Sequence, residues 1–180
     1  SLPEVGTGDE LSMDASRAKI QKTALQGKHV LIVEDSAINR RFVKENLEEA
    51  GAIVSEAVDG EEGYRKATGE MPDIILLDIM MPGMDGLALC RAIRARQAWR
   101  YVYVILLTSR EGTRHLVDGL SAGADEFMSK PLIPEELEVR LRTAERILSM
   151  ETRDLAIFAM AKLAESRDPE TGTHLERVRQ

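Results

Sequence analysis

The chain has 180 residues, room for one ordinary domain with appendages. Hydrophobic residues make up 43% and aromatics only 4%, so a sizeable core is affordable and must be mainly aliphatic. A net charge of −7 argues against a broad nucleic-acid surface, which needs a basic patch. No apolar stretch approaches the ~20 residues that cross a bilayer, and no signal peptide is visible.

In chain order, residues 1–27 form a polar tail with weak helical character from Leu11 to Leu25, expected outside the core. From Lys28 short apolar runs alternate with amphipathic stretches. His29–Val33 reads as a buried strand, and Ser36–Ala50 as a helix with Phe42, Val43 and Leu47 inward, stopped by Gly51. Ile53–Ala57 is a second strand and Glu61–Thr68 a short helix. Asp73–Leu77 is the continuous apolar run of a central parallel strand covered on both faces. Leu87–Arg96 follows as a helix with Leu87, Leu89, Cys90 and Ile93 apolar. Val102–Leu107 is a fourth strand, Thr113–Ala122 a helix, and Glu126–Met128 a short fifth strand. Five βα units in a core of residues 28–133 indicate a doubly wound parallel sheet of the α/β class. The lone Cys90 excludes an internal disulfide framework, fits a reducing cytoplasm, and reads as a small buried hydrophobe. His29 and His115 are isolated, structural or exposed.

Ligands of such sheets bind at the carboxyl ends of the strands. There stand Glu34-Asp35 after strand one, Asp78 after strand three, Thr108-Ser109 after strand four and Lys130-Pro131 after strand five. Carboxylates crowded together repel: two charges ~4 Å apart cost about 4 kcal/mol at an effective dielectric near 20. A hard divalent cation relieves that cost, and Mg²⁺ suits few carboxylates plus phosphate oxygens, with Mn²⁺ as a substitute. A carboxylate could then attack phosphorus, Lys130 could pair with a phosphate oxygen, and the Thr108 hydroxyl could donate to another.

Lys28–Asp35, Asp78–Gly86 (Asp-Ile-Met-Met-Pro-Gly-Met-Asp-Gly), Thr108-Ser109 and Lys130-Pro131 closely resemble the two-component response regulator receiver family, over about Lys28 to Met150. The resemblance implies a flavodoxin-like (βα)₅ fold. It implies a cytoplasmic protein with Asp78 as phosphoacceptor, served by a sensor histidine kinase or phosphotransfer protein. Glu34, Asp35, Asp78 and the Met80 backbone carbonyl would hold Mg²⁺, and Lys130 would contact the phosphoryl group. The Lys130–Pro131 bond is often cis in the family. Thr108 and Phe127 match its switch pair, a hydroxyl drawn to the phosphoryl and an aromatic that turns inward; Phe127 lacks the frequent tyrosine's hydroxyl. Met80 and Arg110 occupy the two positions that tune dephosphorylation. Neither can position water as a carboxylate or amide would, so slow hydrolysis is expected.

Pro134 opens a helix with Glu135 and Glu136 in its favourable first turn. No Gly or Pro follows until Pro169. Leu141, Leu148 and Leu155 recur every seven residues, with Leu137, Ala144 and Phe158 between them and Glu151 breaking the seam. Residues 134–165 thus read as the last receiver helix extended into a linker. It would form a parallel coiled coil in a homodimer, pack on a downstream domain, or both. In residues 166–180, Glu170 and His174 could share a helical face as a metal half-site. This stretch, Arg167-Asp168-Pro169-Glu170-Thr171-Gly172-Thr173-His174, resembles the opening of the HD-GYP family of cyclic di-GMP phosphodiesterases. That resemblance implies that His174, and in some members Glu170, ligate a di- or tri-metal centre. The His-Asp and Gly-Tyr-Pro motifs are absent, so the sequence is expected to be a regulatory fragment cut near the start of its output domain. Its own chemistry would be limited to Mg²⁺-dependent phosphorylation and dephosphorylation of itself.

The alternative is a stand-alone receiver-type interaction module with a different output or none. A haloacid-dehalogenase-like phosphatase would need a second Asp where Met80 stands. A Rossmann nucleotide site would need a glycine-rich loop after the first strand, and none follows. Neither a membrane nor a direct nucleic-acid partner is expected.

Overall fold

A computed structural model describes residues 24–96, 100–109 and 113–167, without the side chains of 113–116 and 167. Five strands and five helices alternate: β1 His29–Val33, α1 Ala37–Glu49, β2 Ile53–Ala57, α2 Gly60–Glu70, β3 Ile74–Asp78, α3 Gly86–Ala95, β4 Tyr103–Thr108, α4 Thr113–Ser121, β5 Glu126–Ser129 and α5 Pro134–Arg167. The strands form one parallel sheet in the order β2-β1-β3-β4-β5. The chain steps from β1 to β2 on one side and returns past β1 to β3 on the other. The order reverses at β1/β3, so the carboxyl ends of those two strands flank a crevice.

Three helices begin where a short polar side chain accepts from a free backbone N–H. Ser36 caps α1 through Asn39 N, Asp59 caps α2 through Glu62 N, and Asp85 caps α3 through Ala88 N. Gly51 ends α1 with φ +89°, a conformation that a β-carbon would strain. The expected elements therefore stand, with shifts of one or two residues at their ends.

The sheet is covered on both faces. Leu31, Val33, Ile75, Leu77, Val104 and Leu106 join Leu89 and Cys90 of α3 in one buried cluster. The alternate positions Val30, Ile32, Ile74, Leu76, Ile105 and Leu107 are equally buried and, with a period of two, lie on the opposite face. Cys90 is inert packing, its Sγ 3.5 Å from the Ala122 carbonyl oxygen.

Two expectations need correction. The tail boundary at Lys28 falls too late: Leu25 is fully buried, and its N–H donates to the Ala50 carbonyl (3.0 Å). Ala24–Gln26 thus belong to the core's edge, where Leu25, Ala50, Leu137 and Leu141 line one cavity. Residues 1–23 lie outside the described residues. Phe42 is only half-buried and lines a groove with Pro131 and Leu132, while Val43 and Leu47 reach the core.

The residues divide into two compact units, Ser1–Glu145 and Arg146–Gln180. In the first, Leu137, Leu141 and Ala144 are buried. In the second, Leu148 is buried, yet every residue from 151 to 166 is exposed, including Leu155, Ile157, Phe158, Met160 and Leu163.

Candidate functional site

The crevice at β1/β3 gathers the acidic residues. Glu34 directly follows β1, and its N–H donates to the Ala57 carbonyl (3.1 Å), which fixes its exit from the sheet. Asp78 is the last residue of β3, in register with Leu107 of β4. Glu34 and Asp78 are buried, at 1% and 3% exposure, while Asp35 is exposed. One carboxylate oxygen from each of the three lies within 4.8 Å of the others, a separation one cation can span.

Lys130 enters from the end of β5. Its Nζ lies 3.0 Å from Glu34 Oε2 and 3.1 Å from Asp78 Oδ2. The Lys130 N–H donates to the Thr108 carbonyl (2.7 Å), locking the β5 exit to the β4 exit, and the Lys130–Pro131 peptide is cis. Thr108, 7% exposed, ends β4 opposite Ser129. Phe127, half-buried, pairs with Leu106 two residues earlier.

Two carboxylates facing one ammonium leave the site electrostatically unbalanced. Burial, aided by a hydrogen bond and like charge from Glu34, pushes the Asp78 carboxyl up to about 6, against the opposing pull of Lys130. Burial works to lower Lys130, but its hydrogen bonds to Glu34 and Asp78 and their negative charge prevail, so it lies above the usual lysine value. Lys130 therefore stays an ammonium, while the Asp78 carboxyl keeps its proton to higher pH than an ordinary aspartate.

The structural roles of three residues escaped the sequence reading. Asn39 donates from Nδ2 to Glu34 Oε1 (3.1 Å), and Arg40 donates from Nη1 to the Glu34 carbonyl (2.8 Å). The signal for both was their place in the first turn of α1, five and six residues after Glu34. Gly86 opens α3 with its N–H on the Ile79 carbonyl (3.1 Å). A β-carbon there would collide with the Asp78 carbonyl oxygen and lie 2.8 Å from Ile79 Cα. Met80 presents its main-chain N–H to Asp78 Oδ1 (3.1 Å), while its side chain is 62% exposed. His29, judged isolated, has partners: its Nε2 is 2.7 Å from Ser55 Oγ and 3.2 Å from Glu70 Oε2, far along the strands from the crevice. Arg110, Glu170 and His174 lie outside the described residues, as does the His115 side chain.

A parallel five-stranded sheet with three clustered carboxylates and a lysine at its carboxyl edge defines a signalling receiver, and comparison with known proteins agrees. The profile of the response regulator receiver domain matches residues 30–142. The response regulator PleD of Caulobacter vibrioides is 38% identical over 117 residues, 65% of this chain and 26% of that protein. The alkaline phosphatase synthesis transcriptional regulatory protein PhoP of Bacillus subtilis is 36% identical over 119 residues, 66% of this chain and 49% of its own. The crystal structure of the Vibrio cholerae chemotaxis protein CheY4 superposes with a TM-score of 0.62 at 31% identity, covering 66% of this chain and 98% of that one. The chain belongs to the response regulator receiver family and has its flavodoxin-like fold. It spans about a quarter to a half of these two curated relatives. Receiver domains typically bind Mg²⁺ at such an acidic site and interact with histidine kinases or phosphotransfer proteins. No helix among the described residues is long and apolar enough to cross a membrane.

Proposed function

We propose that this receiver is phosphorylated on Asp78 by a sensor histidine kinase or a phosphotransfer protein. Mg²⁺ would be held by Glu34, Asp35, Asp78 and the main-chain carbonyl of Met80. The observation that carries this reading is the convergence of three carboxylate oxygens within 4.8 Å beside Lys130. The donor set fits the ion: hard, anionic oxygens, few in number, with space toward solvent at Asp35. When bound, Mg²⁺ supplies charge neutralisation between the carboxylate and an incoming phosphate. The Asp78 carboxylate forms the new O–P bond as the donor's bond to phosphorus breaks and its electron pair leaves with the donor. Lys130 balances phosphoryl charge, and the Thr108 hydroxyl donates to a phosphoryl oxygen. Thr108 and Phe127 then act as the switch pair. Calorimetric Mg²⁺ titration checks the ligand set: Asp35→Asn should weaken binding at least about tenfold, and unchanged affinity contradicts it.

The donor protein has a surface to meet. Ile38, at 83% exposure, and Phe42 flank a groove that runs past Pro131 and Leu132 to Lys130. Ile38→Ala should slow transfer from a kinase while leaving phosphorylation by a small phosphodonor unchanged. Equal slowing of both would place Ile38 in the folding of the site instead. Neither the Met80 side chain nor Arg110 can position water, so the aspartyl phosphate should be long-lived. A phosphate-release half-life of seconds would refute this.

The switch would pass along α5 to an output in a cytoplasmic homodimer, its exposed second half serving as the dimerising linker. The HD-GYP-like residues Arg167–His174 support a cyclic di-GMP phosphodiesterase output, in which Glu170 and His174 would become metal ligands. The longer protein should then hydrolyse cyclic di-GMP in proportion to Asp78 phosphorylation. A second reading, a receiver with another output or none, draws support from PhoP, a relative named for transcriptional regulation. An inert full-length protein lacking the His-Asp and Gly-Tyr-Pro motifs would favour it.

A further inference from the structure

Position 119 lies in the last turn of α4, two residues before its end at Ser121, yet its backbone is outside the positive-φ region that calls for glycine. Glycine in a helix interior is less favourable than alanine, so its use needs a local reason. The reason lies below it. A β-carbon on residue 119 would overlap Phe127 Cζ and stand 2.7 Å from both Phe127 Cε1 and Leu106 Cδ1. The Phe127 ring thus occupies the space that any other residue at 119 would fill.

The strand register extends this contact toward the site. Leu106 pairs with Phe127, and Thr108 with Ser129. With the two-residue alternation of a strand, Leu106, Thr108 and Phe127 lie on the same face of the sheet, the face on which α4 packs through Gly119. A ring leaving the space beneath Gly119 therefore has a row along β4 that leads to Thr108. We propose that Gly119 is a positioning residue of the switch: its bare Cα forms the slot that holds the Phe127 ring against α4 in this conformation. Phosphorylation moves the ring out of the slot, which frees α4 to shift. This rests on the reading of Thr108 and Phe127 as the switch pair.

The experiment places Gly119→Ala in the 180-residue chain, whose only other phenylalanines are Phe42 and Phe158. Fluorine NMR of fluorophenylalanine-labelled protein then follows the ring directly. The variant's unphosphorylated Phe127 resonance should move toward its position in phosphorylated wild type. Its rate of phosphorylation by acetyl phosphate should rise on the order of fivefold, because the competent population is larger. In a Phe127→Ala background, adding Gly119→Ala should leave that rate unchanged. Ala favours helix, so the fold should hold, and Gly119→Ser provides an independent second side chain. An unmoved Phe127 resonance in both variants overturns the slot. A rate increase that persists without the Phe127 ring overturns it equally, since the effect would then belong to α4 alone. If Gly119→Ala moves the resonance but phosphorylation of wild type does not, the switch reading fails while the slot stands.

Discussion

Lys130 answers two buried carboxylates at once, within 3.1 Å of each, and the balance at the site depends on it. Lys130→Ala would strand Glu34 and Asp78 together. The expected cost in metal-free buffer is about 3–5 kcal/mol, partly restored by millimolar Mg²⁺ in thermal unfolding. No Mg²⁺ effect on the variant would contradict the cation site. The raised Asp78 pKa has its own sign. The folded state holds this proton more tightly than the unfolded chain, whose carboxyl titrates near 4. Ionised Asp78 therefore weakens the metal-free fold above about pH 6, and the penalty is relieved as pH falls from 6 toward 4. Wild type should gain stability over Asp78→Asn across that window; equal pH dependence in thermal unfolding of the two would refute the coupling. On the proposed role of Asp78, the same titration should slow phosphorylation as pH drops through the window, because the ionised carboxylate is the form that attacks. Glu34, Asp35, Asp78, Thr108 and Lys130 were all legible in the sequence, since each ends or closely follows a readable strand. Asn39 and Arg40 were not: they act through α1 on the oxygens of Glu34, and a helical Asn or Arg carries no mark of what it faces.

At the scale of elements, the chemistry depends on how loops leave strands. The turn from β3 to α3 brings Gly86 so close to the Asp78 carbonyl that no side chain fits. Gly86→Ala should destabilise the fold by roughly 2 kcal/mol or more in urea unfolding, with no matching loss at the exposed Gly69, where a β-carbon meets nothing within 4 Å. The strands were readable because β1, β3 and β4 each hold an unbroken apolar run, Val30–Val33, Ile74–Leu77 and Tyr103–Leu107, β2 carries the β-branched residues Ile53 and Val54, and β5 sets Phe127 beside Met128. The ends of α1 followed from Ser36 and Gly51, whose capping chemistry is local, whereas the Asp59 and Asp85 caps start α2 and α3 one residue before the expected Glu61 and Leu87. Leu25 went unread because nothing in a short polar neighbourhood reveals that α1 and α5 leave a gap its size. Phe42 was misplaced for a similar reason: its helical spacing suits the inner face, but the groove beside Pro131 accepts it first.

At the scale of the whole chain, the buried positions of α5 set where it can be cut. Leu137, Leu141 and Ala144 are at most 4% exposed, so a chain ending at Ile133 would lose a strip of its core. Each buried leucine there contributes about 1.5–3 kcal/mol. That truncation should unfold, whereas one ending after Met150 should keep its melting temperature within a few degrees. The Met150 chain should also sediment as a smaller species than the full 180 residues if the exposed apolar second half of α5 joins two copies. Equal sedimentation would assign any dimer to the core instead. The central claim, that this receiver takes its phosphoryl group on Asp78, is tested most directly by intact mass after incubation with acetyl phosphate and Mg²⁺. Wild type should gain the mass of one phosphoryl group and Asp78→Asn none; the same gain in Asp78→Asn would contradict the assignment.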